Sequence, residues 1–512
     1  MQNILQIANS PGVIYTVISL LCFLVIIYTK STVCDWMMNF KDFNMRSQLN
    51  AYLKLLSKLK ARKIGMDMII DETYDYKTSK GYITMNLIFM KWVFVFHPKF
   101  MKMLLEDDEN IDRPIMKHAD KGIMTDSLLI RNGDRWRIRK KLHAPAFTQK
   151  TIDKFQSVID ENARKLVAEL KEKCQADWTP ILPIIKKRVF YILLETVLSF
   201  PKSWKNFDLF PIYDKVDDVL SSSLIMRLLN VFLWPNIIFS FTKHGRKFNE
   251  CKRIGRDILK RLVIERQKDL NTKVSRRNEK EALSIIDLLL PYLMTNHPDV
   301  TIENVVDDVM AFLGAGHHSF TVTMTWAMYE LGRHPKIQEK IQEELDEIFR
   351  DDPSRTTTKE DLSKMAYLEC VLKETLRKYP AVPFTMRSTK KVLRFNDESF
   401  PKNSVYFIDL YHMHRNPELY PDPEVFDPDR FLPENSEERD PYSYLPFSTG
   451  VRKCIAHRLA MMEVKLTLSY IMRFLNVKTH PREVVACLDD IVIGESQPIL
   501  IKISPREKTE TS

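Results

Sequence analysis

The segment Pro446-Phe447-Ser448-Thr449-Gly450-Val451-Arg452-Lys453-Cys454-Ile455-Ala456 sets one cysteine in a glycine-turned loop ahead of an apolar helix that should start near Ile455. A cysteine binds metal as its thiolate, so it needs hydrogen-bond donors, a positive helix end and shelter from oxidants. Gly450 can take a backbone angle closed to other residues, and the following helix turns free N–H groups back toward the sulfur. Phe447 can roof the sulfur, and Arg452 is placed to meet a haem propionate. The chemistry indicated is axial thiolate ligation of a haem iron. The alternative is a buried structural cysteine.

The remaining sequence narrows the choice. The seven cysteines, at 22, 34, 174, 251, 370, 454 and 487, lack Cys-x-x-Cys spacing, so neither a zinc site nor a disulfide framework is indicated. The net charge of +10 comes from 77 basic residues spread among 67 acidic ones, with no nucleic-acid motif. The densest basic stretch, Lys243 to Lys280, is expected to form solvated helix faces and a loop.

The loop matches Phe-x-x-Gly-x-Arg-x-Cys-x-Gly except that Ala456 replaces the last glycine, and in this it resembles the haem-binding signature of the cytochrome P-450 family. A methyl group at 456 leaves the backbone N–H that the family turns toward the sulfur. Further elements carry the resemblance. Lys373-Glu374-Thr375-Leu376-Arg377 with Pro428-Asp429-Arg430-Phe431 is similar to the family's Glu-x-x-Arg and Pro-Glu-Arg-Phe elements, which implies a buried scaffold of Glu374, Arg377 and Arg430 bracing the cysteine loop. Trp136 with Lys140 resembles the family's Trp-x-x-x-Arg pair, which binds one propionate; Arg139 competes with Lys140 but falls on another helix face. Arg387 matches the position that reaches the other propionate.

The long apolar helix expected over Thr301 to Gly332 carries Ala315-Gly316-His317-His318-Ser319-Phe320 where the family has Ala/Gly-Gly-x-Asp/Glu-Thr-Thr. By that resemblance Ala315 and Gly316 keep the distal face thin. Ser319 keeps an alcohol and His318 replaces the acid, so these two are the expected proton-delivering catalytic residues. Adjacent His317 and His318 should point apart on a helix and not form a paired metal site.

The implied fold is mainly α with small β-sheets, the cytochrome P-450 fold. Helical periods cover Lys150 to Lys171, Trp178 to Leu198, Lys247 to Lys268, Ser284 to Leu293, Ile337 to Phe349 and Asp361 to Lys378. Strands are expected at Tyr82 to Asn86, Trp92 to Phe96 and Ile499 to Ser504. Residues 1–29 lack Asp, Glu, Lys and Arg, and are expected to form a transmembrane anchor. Lys30, Lys41 and Arg46 should hold the body on the cytosolic side. A linker over 30–44, a catalytic domain over 45–504 and an unstructured tail over 505–512 follow.

The resemblance implies a haem b enzyme of the endoplasmic reticulum membrane that inserts one atom of O2 into a lipophilic substrate: a fatty acid, sterol or foreign compound. This chain has no flavin or nicotinamide motif, so electrons would come from an NADPH-dependent flavoprotein reductase docking near Lys141, Lys453 and Arg458, with cytochrome b5 a second candidate donor. The apolar block Val219 to Phe241 would be a membrane-touching lid, and Leu129, Ile130, Phe320 and Val382 would be pocket walls. Three rivals remain open: a haem-thiolate isomerase or dehydratase acting on lipid peroxides without a reductase, a non-catalytic haem or lipid binder, and an imidazole-ligated haem protein in which Cys454 plays no part.

Overall fold

The computed structural model describes residues 64–65, 80–87, 90–109, 112–113, 123–198, 204, 207–230, 233–273, 284–295, 300–350, 352–489 and 492–506. The expected anchor (1–29), linker (30–44) and end of the tail (507–512) lie outside the described residues. So do Phe232 of the lid block and the loop from Val274 to Lys280. Among the described residues no helix is long and apolar enough to cross a membrane.

The main helices are α1 (Pro98–Glu106), α2 (Gly133–His143), α3 (Gln149–Lys171), α4 (Ile181–Leu198), α5 (Phe210–Leu229), α6 (Asn236–Phe241), α7 (Lys243–Lys273), α8 (Ile302–Arg333), α9 (Pro335–Phe349), α10 (Lys359–Lys364), α11 (Ala366–Lys378) and α12 (His457–Phe474). Helix α8 is the axis of the fold. Thr301 starts it by capping the Asn304 N–H, while the Asn304 side chain reaches back to the Thr301 N–H. Its residues are apolar on nearly every side, as a helix enclosed by neighbours requires: Val305, Val309, Leu313, Phe320, Met324, Trp326 and Leu331 are all buried. It packs against α4, α7, α11 and α12. Helix α3 is one-sided instead, burying Ile152, Phe155, Ile159, Leu166 and Leu170 against α12.

Strands β1 (Ile64–Gly65), β2 (Tyr82–Leu87), β3 (Met90–Val95), β4 (Thr179–Pro180), β5 (Phe384–Ser388), β6 (Leu393–Phe395), β7 (Glu398–Phe400), β8 (Val405–Asp409), β9 (Leu475–Thr479), β10 (Ala486–Asp489), β11 (Val492–Glu495) and β12 (Leu500–Pro505) form small sheets. Their orders are β2-β3-β8-β5, β4-β12-β9, β1-β10-β11 and β6-β7. The four-stranded sheet positions part of the site, because its edge strand β5 carries Arg387 opposite Tyr406.

Four sequence expectations need correction. The helix expected over Asp361 to Lys378 is two helices, broken at Met365 (ψ 66°). The Glu344 carboxylate of α9 accepts from the Tyr367 and Leu368 N–H groups at 2.6 and 3.0 Å, so a new helix starts there. Ser284 to Leu293 is a single 3-10 turn, Ile286–Leu288, followed by a short helix entered through Pro291. Thr179 and Pro180 pair with β12, which delays α4 to Ile181. Strand β12 runs to Pro505 and the Arg506 Nη1 pairs with Asp346 at 3.0 Å, two residues into the expected tail.

Candidate active site

Cys454 opens the site. The loop before it turns at Gly450, whose φ of +68° lies in the left-handed region; a Cβ there would sit 2.1 Å from the Leu105 carbonyl oxygen of α1. This close approach fixes the loop against α1. The Cys454 N–H donates to the Phe447 carbonyl at 2.9 Å, closing the turn. Helix α12 begins at His457 rather than near Ile455, with Ala456 as its N-cap. The Ala456 N–H donates to the sulfur, so the methyl group leaves that donor in place. Burial pushes the thiol up, while the Ala456 N–H, Arg113 and Lys453 pull it down. The sulfur is enclosed by protein, but the residue is solvent-accessible because it faces a cavity.

That cavity, about 340 Å³, brings together residues from distant parts of the chain: Trp136 and Lys140 of α2, Ala315, Gly316 and Ser319 of α8, and Phe447, Arg452 and Ala456 of the cysteine region. Trp136 is buried with two cations on its ring, Arg452 at 4.1 Å and Lys140 at 5.1 Å from the centroid. Lys140 also donates to the Val451 carbonyl at 2.6 Å. Arg139 is excluded as the competing cation, since its Nε meets the Asp308 carboxylate at 2.7 Å on another face of α2.

Arg387 is buried and reaches Ser448 Oγ at 3.4 Å. Arg113, which no motif had singled out, lines the same cavity and has a buried Nε with no hydrogen-bond partner. Burial and the neighbouring charges of Arg113 and Arg387 depress Arg452 to about 8. Burial depresses Arg113 to about 10, and burial with the Arg113 charge lowers Arg387 well below the usual arginine range. A guanidinium does not give up its proton in practice, so the crowding creates positive potential instead. Two carboxylates of a flat ligand beside the sulfur would neutralise it. On this observation the residues present fit haem: Cys454 would hold the iron, and Arg113, Lys140, Arg387 and Arg452 the propionates.

The scaffold triad is also assembled. Glu374 and Arg377 are fully buried and joined twice, Nε to Oε2 at 2.6 Å and Nη2 to Oε1 at 2.7 Å. Arg377 additionally donates to the carbonyls of His414, Pro423 and Val425 at 2.9, 2.8 and 3.3 Å. Arg430 lies 3.7 Å from Glu374 and donates to the Asp422 carbonyl. Asp429, which stands where the family has glutamate, faces outward to Lys340 at 3.0 Å.

On α8 the two expected relay residues part company. The Ser319 hydroxyl donates to the Ala315 carbonyl at 2.8 Å and lines the cysteine cavity. His318 lies on the adjacent face, outside that lining, with Nε2 3.1 Å from Asp217 Oδ1 and 3.2 Å from Ser221 Oγ of α5. The expectation that His317 and His318 diverge is overturned: both rings turn toward α5, with centroids 5.7 Å apart. Gly316 has a packing reason for its missing side chain, since a Cβ would come within 3.0 Å of Leu193 in α4.

A second, apolar cavity of about 140 Å³ lies under α5, lined by Phe190, Tyr213, Val216, Leu220 and Leu313 among others. Leu129 and Ala315 line both cavities and mark their junction. Phe320 and Val382 line the cysteine cavity; Ile130 is buried but lines neither.

The cytochrome P450 family model matches residues 60–502, which spans all of these elements. The chain belongs to the cytochrome P450 family. Cytochrome P450 4V2 of Homo sapiens is 28% identical over 427 residues, covering 82% of this chain and 81% of the relative. Cytochrome P450 4c21 of Blattella germanica is 29% identical over 393 residues, covering 75% and 77%. The solved structure of retinoic acid bound cyanobacterial CYP120A1 superposes with a TM-score of 0.71 at 21% identity, covering 86% of this chain and 95% of that one, which shows the shared fold. This P450 is therefore an oxidoreductase of the monooxygenase class with haem b as its cofactor.

Proposed function

We propose that this P450 hydroxylates a lipophilic substrate with a long hydrocarbon portion, a fatty-acid-type chain being the leading candidate. The observation that carries this reading is the junction at Leu129 and Ala315, where the apolar cavity under α5 meets the cavity onto which Cys454 opens. Bound haem supplies reductive activation of O2: two electrons and two protons accompany insertion of one oxygen atom into a C–H bond and release of the other as water. The protein supplies the rest. Cys454 would hold the iron through its sulfur and supply electron density to it; burial raises the free thiol, so the bound metal would keep the sulfur deprotonated, aided by the Ala456 N–H and the charges of Arg113 and Lys453. Ser319 Oγ, at the cavity wall, is the alcohol through which water-borne protons pass. Apolar side chains align the substrate and exclude bulk water.

The expected chain organisation is part of the same proposal. Residues 1–29 anchor the protein in the endoplasmic reticulum membrane, 30–44 link, and the catalytic domain lies on the cytosolic face. Around α6, Ile237 and Phe241 are 74% and 78% exposed, which suits a lid tip touching lipid. The exposed Lys141, Lys453 and Arg458 suit docking of an acidic NADPH-dependent flavoprotein reductase, or of cytochrome b5.

The test is reconstitution with a lipid extract, with and without NADPH and reductase, on wild type and Cys454→His. Product formation should require both NADPH and reductase, and the variant should lose the thiolate-type spectrum of the reduced carbon monoxide adduct. Turnover of lipid hydroperoxides without reductase would instead select the isomerase reading, which the departures at 318 and 320 motivate. Retention of the thiolate spectrum by the variant would remove Cys454 from the site.

A further inference from the structure

On a face of α8 outside the lining of the cysteine cavity, three potential metal ligands converge. Asp217 of α5 and His317 and His318 of α8 each offer one ligand atom within 4.8 Å of the others. We propose that these three side chains bind one divalent transition cation of the zinc type, forming a metal clasp between α5 and α8.

The donor set suits such an ion. Two imidazoles and a carboxylate, with water in the fourth position, are a recurrent tetrahedral combination for zinc. The His317 Nε2 lies 3.0 Å from the Lys186 carbonyl, which can only accept. The proton therefore sits on Nε2 and the lone pair on Nδ1, an outer-shell arrangement typical of metal-bound histidines. The His317 ring is 1% exposed, and its Nδ1 is buried with no hydrogen-bond partner. Lys186, whose ammonium lies beside the cluster, is engaged by Asp214 at 2.8 Å.

Access and room are present. A cavity of about 250 Å³ lined by Lys186, Asp217, Asp218, His317, His318 and Thr321 opens beside the cluster. Zinc ligand atoms stand about 3.3 Å apart, so the 4.8 Å set must draw in by roughly 1.5 Å at its widest. The His318–Asp217 pair, already at 3.1 Å, has the required separation. Tyr213, Val216 and Leu220 on the same α5 roof the apolar cavity, which Asp217 and His318 also line. A cation bound here would therefore fasten that roof to the central helix.

The experiment uses haem-loaded full-length protein, so that Cys454 is occupied. After chelation and dialysis, Zn2+ binding is measured by equilibrium dialysis with mass-spectrometric metal counting, and the zinc K-edge spectrum is recorded. One zinc per haem is expected, with N/O ligands at about 2.0–2.1 Å and multiple scattering from two imidazoles. Asp217→Asn and His317→Gln should each weaken binding at least tenfold. Binding unchanged in both variants, or a spectrum without imidazole scattering, would overturn the site and leave His318–Asp217 as an ion pair only. Should a variant fail to retain haem, the wild-type stoichiometry and spectrum decide alone: substoichiometric zinc or non-imidazole ligation refutes the clasp.

Discussion

Arg377→Met tests whether the scaffold behind the cysteine loop works as a buried electrostatic brace. Arg377 makes two charge-assisted hydrogen bonds to Glu374 and three more to the carbonyls of His414, Pro423 and Val425. Without the guanidinium, Glu374 keeps, among the described residues, the Asp427 N–H at 2.9 Å and Arg430 at 3.7 Å. Breaking a buried pair by removing one partner costs about 3–5 kcal/mol. The orphaned carbonyls add about 1 kcal/mol or more where water cannot reach them. Protonation of Glu374 limits the total, so a loss of about 4 kcal/mol is expected, a large share of a typical folding free energy of about 5–15 kcal/mol. Urea unfolding of the holoprotein followed at the Soret band measures it, together with the haem retained after gel filtration. The double variant Glu374→Met/Arg377→Met removes both charges, so it should be less damaged than the worse single variant. A loss below about 1 kcal/mol in Arg377→Met, or a double variant as damaged as the sum of the singles, would refute the brace.

Gly450→Ala should cost about 1–2 kcal/mol for the left-handed backbone alone, plus the shift needed to clear Leu105, which sits 2.1 Å from the new methyl group. Its reduced carbon monoxide adduct should lose thiolate character, and an unchanged spectrum would show that the loop does not need the glycine. Ser319→Ala should uncouple O2 consumption from product and lower coupled turnover at least tenfold; unchanged coupling would remove Ser319 from proton delivery. Glu463 lines the cysteine cavity and burial alone pushes it up to about 8. A carboxyl raised in the folded state stabilises fully below its unfolded value near 4.5 and loses that contribution as pH climbs toward 8, by on the order of 4 kcal/mol. Glu463→Gln should therefore flatten the decline in urea stability between pH 5 and 8, and an unaltered slope would show that Glu463 does not titrate there.

What the sequence disclosed and what it concealed divide along one physical line. Gly450, Arg452, Cys454 and Ala456 were legible because a short loop and a helix start fix their relation, so spacing alone carries the geometry. The pair Glu374 and Arg377 was legible for the same reason, one helix turn apart. Lys140 rather than Arg139 was half legible: the helical period named the face, but only Asp308, from α8, shows what occupies the other. Arg113 was invisible, since nothing local marks it and the cysteine that makes it important lies far along the chain. The break at Met365 was hidden because Glu344 of another helix supplies the cap.

His317 and His318 show why neighbour identity outweighs period at such positions. On an isolated helix two adjacent residues diverge by about 100°, and that reasoning separates them. Here α5 offers Asp217 to one ring and Tyr213, perpendicular with its ring centroid 4.9 Å away, to the other. Two side chains that diverge at the backbone can thus reconverge at their tips when a second helix supplies polar partners. The same contacts turn His318 away from the cysteine cavity and leave Ser319 there, so the departure of this chain from its family's acid-alcohol pattern divides between two surfaces of one helix. The alcohol faces the cysteine cavity and the histidine faces the roof over the apolar cavity. A Ser319→Ala defect should therefore appear in coupling, whereas a His318→Gln defect should appear in substrate affinity.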